Sequence, residues 1–176
     1  YVKDGDKKMT TLYANPYDLS AMGFYFDTAE EYAEKSKALR NRFDERPEEF
    51  EFDFIDGESM DAELAEAWSL NQCNFAAFFD ACDTWEDHDK KRFIIAVGEC
   101  GYDFDADAVR PDDFDVDIYE CDSMKELAEQ FVEEGLFGDI PSHLQNYIDY
   151  DAIARDLAID YSETYINGQK LIYRCA

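Results

Sequence analysis

The period of the apolar positions changes several times along the chain, and each change predicts an element. Thr10–Ala14 and Gly23–Asp27 are short runs with aromatic and polar residues alternating, which predicts two strands. Thr28 and Glu31 then form a capping box, and Ala29, Tyr32, Ser36, Leu39 and Phe43 recur at helical spacing. A helix is therefore expected to about Arg42, with Pro47 marking the break. Phe50, Phe52 and Phe54 alternate with Glu51, Asp53 and Ile55, the pattern of a strand with one aromatic and one largely acidic face.

From Ser59 the period turns helical for about 40 residues. Met60, Leu64 and Trp68 form one stripe, Phe75, Phe78, Phe79, Cys82 and Trp85 a second, and Phe93, Ile94 and Val97 a third that Gly98 and Gly101 terminate. Aromatic stripes at this spacing are read as the core of a small bundle, not as a cofactor box. Further on, Asp113, Asp115 and Asp117 alternate with Phe114, Val116 and Ile118, which predicts a strand with an acidic face. Ser123 and Glu126 form another capping box before a helix lined by Met124, Leu127, Ala128 and Phe131 and ended by Gly135. Behind Gly138, Pro141 suits the first turn of a helix carrying Leu144, Tyr147 and Ile148. A second short helix follows, capped by Asp149 or Asp151, with Ile153 and Leu157 paired on its apolar side and Arg155 and Asp156 facing water. Tyr161–Ile166 and Gln169–Arg174 flank Asn167-Gly168, the signal of a hairpin with a type I′ turn. The expected class is α+β in three small domains. Terminal α+β units at 9–57 and 102–176, each with a small antiparallel sheet, stand on either side of a helical bundle at 58–101.

Composition sets charge against core. The chain has 176 residues, 46% of them hydrophobic, with 14 Phe and 12 Tyr, enough apolar material to exclude a disordered acidic tail. Yet 43 acidic residues face only 16 basic ones, a net charge of -27 whose self-repulsion opposes compaction. Two blocks concentrate it: Asp44–Glu66 at net -10 (11 acidic, one basic) and Glu99–Asp122 at net -9 (10 acidic, one basic). No apolar run approaches a membrane span and no signal peptide opens the chain, so a cytoplasmic protein is expected. Tyr1–Lys8 precede Met9 and are read as a leader outside the fold. Cys73, Cys82, Cys100, Cys121 and Cys175 are odd in number and form no CxxC pair, which argues against a zinc site or disulfide framework and for small core fillers.

Catalysis finds little support. His88 lies in a charged run and His143 behind Pro141, neither in a nucleophile motif, and no glycine-rich phosphate loop occurs. Among 43 carboxylates, close pairs arise by chance and single out no acid–base dyad. Asp103, Asp105 and Asp107 copy the first three ligand positions of a calcium loop, but Ala108 stands at its glycine, Phe114 at its bidentate glutamate, and Pro111 interrupts it. No cofactor, no dedicated metal site and no enzyme activity are expected. What remains is the carboxylates as a set. Duplex DNA carries about one negative charge per 1.7 Å of axis, so a net -27 matches roughly 14 base pairs. Such a surface could occupy a basic DNA groove while offering no scissile phosphate and no base to read.

The segment Ile140–Leu157, IPSHLQNYIDYDAIARDL, resembles the signature of the ArdA antirestriction family, most closely over Gly138–Leu157. Weaker likeness extends to Tyr13-Ala14-Asn15 and Gly23-Phe24-Tyr25-Phe26, while the loop Pro16–Met22 is shorter than the family's and lacks its glycine-bearing connection. The resemblance implies a DNA mimic carried by mobile elements that competes for the DNA-binding groove in the methyltransferase core of type I restriction-modification enzymes. It also implies an elongated, curved chain of three small domains and a homodimer joined through the carboxy-terminal domain. The mimicking carboxylates are expected at Asp44, Glu48, Glu49, Glu51, Asp53, Asp61, Glu63, Glu66, Asp103, Asp105, Asp107, Asp112, Asp113, Asp115 and Asp117. Pro141, Leu144, Tyr147, Ile148, Tyr150 and Arg155 are assigned to fold and subunit association. An acidic chaperone or decoy for basic proteins is the alternative, and a calcium buffer the third.

Overall fold

The computed structural model describes residues 8–175. Apart from Lys8, the expected leader lies outside the described residues. Lys8 itself belongs to the fold: its backbone N–H donates to Glu58 Oε1 at 2.8 Å and its ammonium pairs with Asp56. The class is α+β, with helices and two small antiparallel sheets. The chain forms two compact units, one up to Phe114 and one from Asp115. The first contains both the sheet and the helices that the sequence reading separates at 57/58.

In the first unit, β1 (Thr11–Pro16) is the central strand between β2 (Phe24–Phe26) and β3 (Phe50–Asp56). Alternation sorts its two faces as the pattern predicts: Leu12, Ala14, Phe26, Phe50 and Phe52 are buried, while Glu51 and Asp53 are exposed. The buried face packs on α1 (Ala29–Ala38) and α3 (Phe75–Thr84) through aromatic contacts. Phe75 is the hub, its ring centroid 4.8 Å from Tyr32, 5.1 Å from Phe52 and 5.7 Å from Phe26. A second cluster surrounds Trp68 at the end of α2 (Ser59–Trp68), which stacks on Phe93 of α4 (Asp87–Phe93) at 4.7 Å and takes Phe104 edge-on at 5.2 Å. Beyond α4 the chain widens into a π-turn, Ile94–Glu99, in which the Cys100 N–H donates to Ile95 O, and Gly101 at φ +72° turns the chain away.

One charge pair is inside this unit. Asp61 lies on the same face of α2 as Leu64, Ala65 and Trp68, is 0% exposed, and accepts from Lys90 Nζ at 2.5 Å. Lys90 Nζ also donates to Cys82 O at 3.1 Å, and the Thr10 hydroxyl donates to Asp61 Oδ2 at 3.4 Å. These bonds replace water around both ions. The Cys82 thiol beside them is pushed up to about 12, by burial first and by the Asp61 carboxylate second.

In the second unit, β6 (Gln169–Cys175) runs between β4 (Val116–Tyr119) and β5 (Ser162–Ile166). Leu171, Ile172 and Tyr173 are buried on both faces of this central strand. Asn167 and Gly168 have φ of 50° and 74°, the two positive values a type I′ turn requires. Against the sheet lies α5 (Met124–Glu133), capped by Ser123 as predicted, and Cys121, Leu127, Phe131, Tyr161 and Ile172 form the core. The last helix, α6 (Tyr150–Asp160), is capped by Asp149, whose carboxylate accepts the Ala152 N–H at 3.0 Å.

Three elements differ from expectation. First, α1 stops at Ala38 and not near Arg42, because Leu39 turns extended and the Asn41 side chain takes the N–H groups of Phe43 and Glu45 at 2.9 Å each. Second, Asp113 ends a 3-10 turn opened by Pro111, so the strand begins only at Val116. Third, Pro141–Ile148 is no α-helix. It closes i→i+3 bonds, Leu144 N–H to Pro141 O at 2.8 Å and Tyr147 N–H to Leu144 O at 2.9 Å, with a 3-10 turn at Gln145–Tyr147. The eight residues are too few to sustain a helix without a buried face, and every one of them is exposed or half-buried.

Replacing Lys90 by Met leaves the Asp61 carboxylate buried and unpaired. The substitution is expected to cost about 3–5 kcal/mol in urea unfolding, and adding Asp61→Leu should restore much of it. Alkylation of the native protein at pH 8 should label exposed Cys73 and spare Cys82 until denaturant is added, as peptide mapping would show.

Candidate partner-binding surface

The predicted carboxylates fall into three groups in the first unit and a pair in the second. On β3, Glu51 and Asp53 stand opposite Asn15 and Tyr13 of β1 on the solvent face. Residues two apart on a strand lie about 6.8 Å from each other, twice the 3.4 Å rise per nucleotide of one DNA strand. The strand is anchored by Gln72, which accepts the Phe50 N–H at 2.9 Å and donates to Glu48 O at 2.9 Å. Asp53 and exposed Glu66 of α2 line one open recess of about 430 Å³ with Phe54 and Ala62. Glu63 is half-buried on the same helix. Asp61 departs from expectation: it sits on the inward stripe of α2 and is consumed by Lys90, so it presents no charge to a partner.

The second group is built by loops. Asp44 adopts a left-handed backbone at φ 64° in the turn that Asn41 organises, and it is exposed. Asn41 Nδ2 also donates to Asp18 Oδ2 at 2.7 Å, joining the loop after β1 to the loop after α1. Asp18 accepts from the Ser20 hydroxyl at 2.7 Å and N–H at 2.9 Å; the hydroxyl first, then Asn41, hold its carboxyl below the usual carboxylate range. Asp18, exposed Glu48 and Glu49, and Arg46 line a recess of about 350 Å³. Asp18 was not among the predicted residues. Its signal was the Asp-x-Ser spacing of a local Asx turn.

The third group spans 103–113. Asp103, Asp105, Asp107 and Asp112 are exposed. Asp113, also exposed, is bridged by Arg110 at 2.9 and 3.2 Å. Asp103, Asp105 and Asp113 share a recess of about 340 Å³ with Phe104 and Phe114, whose rings anchor the segment to Phe93 at 4.8 and 5.9 Å. Asp105 turns one carboxylate oxygen onto the Asp107 N–H at 3.1 Å, and among the described residues no group of three or more His, Cys, Asp or Glu side chains is placed to hold a metal ion. In the second unit Asp115 is exposed, while Asp117 is half-buried and accepts from Arg174 at 2.6 Å. Arg174 in turn lies 5.2 Å from the Tyr161 ring centre, so this pair serves the sheet of the second unit.

The signature residues lie on the opposite kind of surface. Pro141, Leu144 and Tyr147 are exposed, Ile148 and Tyr150 half-buried, and Arg155 exposed on α6. Tyr147 is 84% and Ile159 80% exposed, with Leu136 and Phe137 also open to solvent. The sequence model of the antirestriction protein family ArdA matches residues 17–169, a span that takes in this segment and all fifteen predicted carboxylates. The chain belongs to the ArdA family. Comparison with curated proteins finds no significant match. Membership in ArdA makes this an antirestriction protein, of a family of inhibitors that act on type I restriction enzymes. Among the described residues no helix is long and apolar enough to cross a membrane.

Because one Asp105 carboxylate oxygen is taken by the Asp107 N–H and Asp113 is tied to Arg110, calorimetric titration with calcium should give only weak, non-saturating heats that added monovalent salt suppresses. A saturable site of micromolar affinity would restore the calcium reading.

Proposed function

We propose that this ArdA protein inhibits as a DNA mimic, competing with DNA for the basic groove in the methyltransferase core of a type I restriction-modification enzyme in the cytoplasm. The observation that carries the reading is the sorting of charge. Exposed Glu48, Glu49, Glu51, Asp53, Glu66, Asp103, Asp105, Asp107 and Asp112 are held on strand, helix and anchored turns over aromatic cores, whereas the described buried carboxylate, Asp61, is neutralised. Carboxylates preset on such a scaffold lose little freedom on binding, so their attraction to a cationic groove is retained as affinity. They carry the electrostatic share of DNA affinity and its salt dependence, without chemistry at a phosphate or base. Inhibition by occupancy needs no catalytic group.

A homodimer joined through the second unit is the second part of the proposal. Leu136, Phe137, Tyr147 and Ile159 place apolar surface in solvent, and α6 has no fully buried residue, which is the composition of a surface awaiting cover. Two copies would then present a doubled charge array.

DNA-binding assays of a purified type I enzyme should show competitive, stoichiometric inhibition that weakens as salt rises. Any single Asp→Asn change in the set should shift inhibition less than about 3-fold, whereas neutralising Glu48, Glu49, Glu51, Asp53 and Glu66 together should weaken it by 10-fold or more, roughly the scale of several lost phosphate-like contacts. Single neutralisations that each abolish inhibition would refute the distributed set, and equal affinity for unrelated basic proteins would favour a general decoy. In analytical ultracentrifugation Ile148→Arg is expected to yield monomers; a variant that stays dimeric places the subunit contact elsewhere.

A further inference from the structure

The solvent face of the first sheet carries more than charge. Tyr13 and Tyr25 stand directly opposite each other across β1 and β2, with ring centroids 4.8 Å apart and planes inclined at 56°. Tyr25 is 57% exposed and Tyr13 half-exposed. Beneath them Gly23 has no room for a side chain: a Cβ there would stand 2.5 Å from Tyr13 Cζ, from its hydroxyl oxygen and from Ala14 O. The Tyr13 ring therefore lies over bare backbone, and with the inclined Tyr25 ring it forms an exposed aromatic shelf. On the other side of β1, Asp53 is directly opposite Tyr13, and Glu51 follows two residues back on the same face. Directly opposed residues have Cβ atoms about 4.5–5.5 Å apart, so a carboxylate edges the shelf. Among the described residues no cation pairs with Asp53 or Glu51.

We infer that the face formed by Tyr13, Tyr25, Asp53 and Glu51 is a receptor for an arginine side chain of the restriction enzyme's DNA-binding groove. The inference rests on the DNA-mimic reading and names one contact within it. A planar guanidinium stacks on an aromatic face while its edge N–H groups donate to a carboxylate, which a lysine ammonium does not match in shape. The occupant follows from charge complementarity: a groove that holds DNA presents cations, and this face offers them ring quadrupoles beside two open carboxylates. Contact with a phosphate mimic alone would be purely ionic. The tyrosines add attraction that does not depend on counterion release.

The test is inhibition of a type I enzyme's DNA binding over a salt series with Tyr25→Leu, Tyr13→Leu, Tyr25→Phe and Asp53→Asn proteins. Circular dichroism and unfolding midpoints serve as the folding control. Tyr25→Leu is expected to weaken inhibition between about 2-fold and 30-fold with the salt slope unchanged, and Tyr25→Phe to keep wild-type affinity because the ring remains. Asp53→Asn should lower the salt slope by about one. Leucine variants that fold and inhibit like wild type overturn the inference while leaving DNA mimicry standing. A tyrosine variant that changes the salt slope as Asp53→Asn does also overturns it, since the ring would then act only by placing charge. Wild-type protein that fails to inhibit at all overturns the mimicry itself, and the arginine receptor falls with it.

Discussion

Keeping a net charge of -27 on the outside of a folded chain is the constraint from which the rest follows. Self-repulsion opposes compaction, so the core must gain its stability from large apolar groups per residue buried. Aromatics supply this: the Phe75 cluster beneath the first sheet and the Trp68 cluster beside it each join several elements through ring contacts. The carboxylate that does enter the core, Asp61, is surrounded by Lys90 and Thr10, because an unpaired ion there would cost more than a ring contact returns.

The same pleat that builds the core builds the presenting surface. In β3 the buried Phe50 and Phe52 are each followed by a carboxylate that points out, Glu51 and Asp53, so the aromatic packing that stabilises the strand also sets the spacing and orientation of its charge. Gln72 fixes the start of that strand and the backbone of Glu48 together, linking loop charge to sheet charge. On the proposed DNA-mimic reading, a partner groove would meet a preset array and not a flexible acidic chain.

Short polar side chains decide where regular structure stops. Asn41 ends the influence of α1 and shapes the turn that holds Asp44 outward, and Asp149 starts α6 where the preceding turns leave off. Between Gly138 and Asp149 the chain makes turns whose apolar side chains remain in solvent. This stretch carries the closest likeness to the ArdA signature, and none of its residues is fully buried. Such exposure fits the association surface proposed for it.

Periodicity along the sequence determined the α+β class, the strands around Phe52 and at the Asn167-Gly168 hairpin, the stripes of α2, α3 and α5, and three of the helix caps, because these depend on neighbours within a few residues. Likeness in a short segment determined the family, and composition the abundance of carboxylate. Only tertiary structure decided which carboxylates are exposed and which are buried. Asp61 and Glu66 read alike in an acidic helix, and nothing local reveals that Lys90, 29 residues away, waits for one of them. The same holds for the tyrosine shelf, where Tyr13, Tyr25 and Asp53 meet through strand register, and for the helix predicted at Pro141, where spacing promised a buried face that no neighbour supplies. Register and burial are set by residues distant in the chain, and a pattern read along the chain carries no record of them.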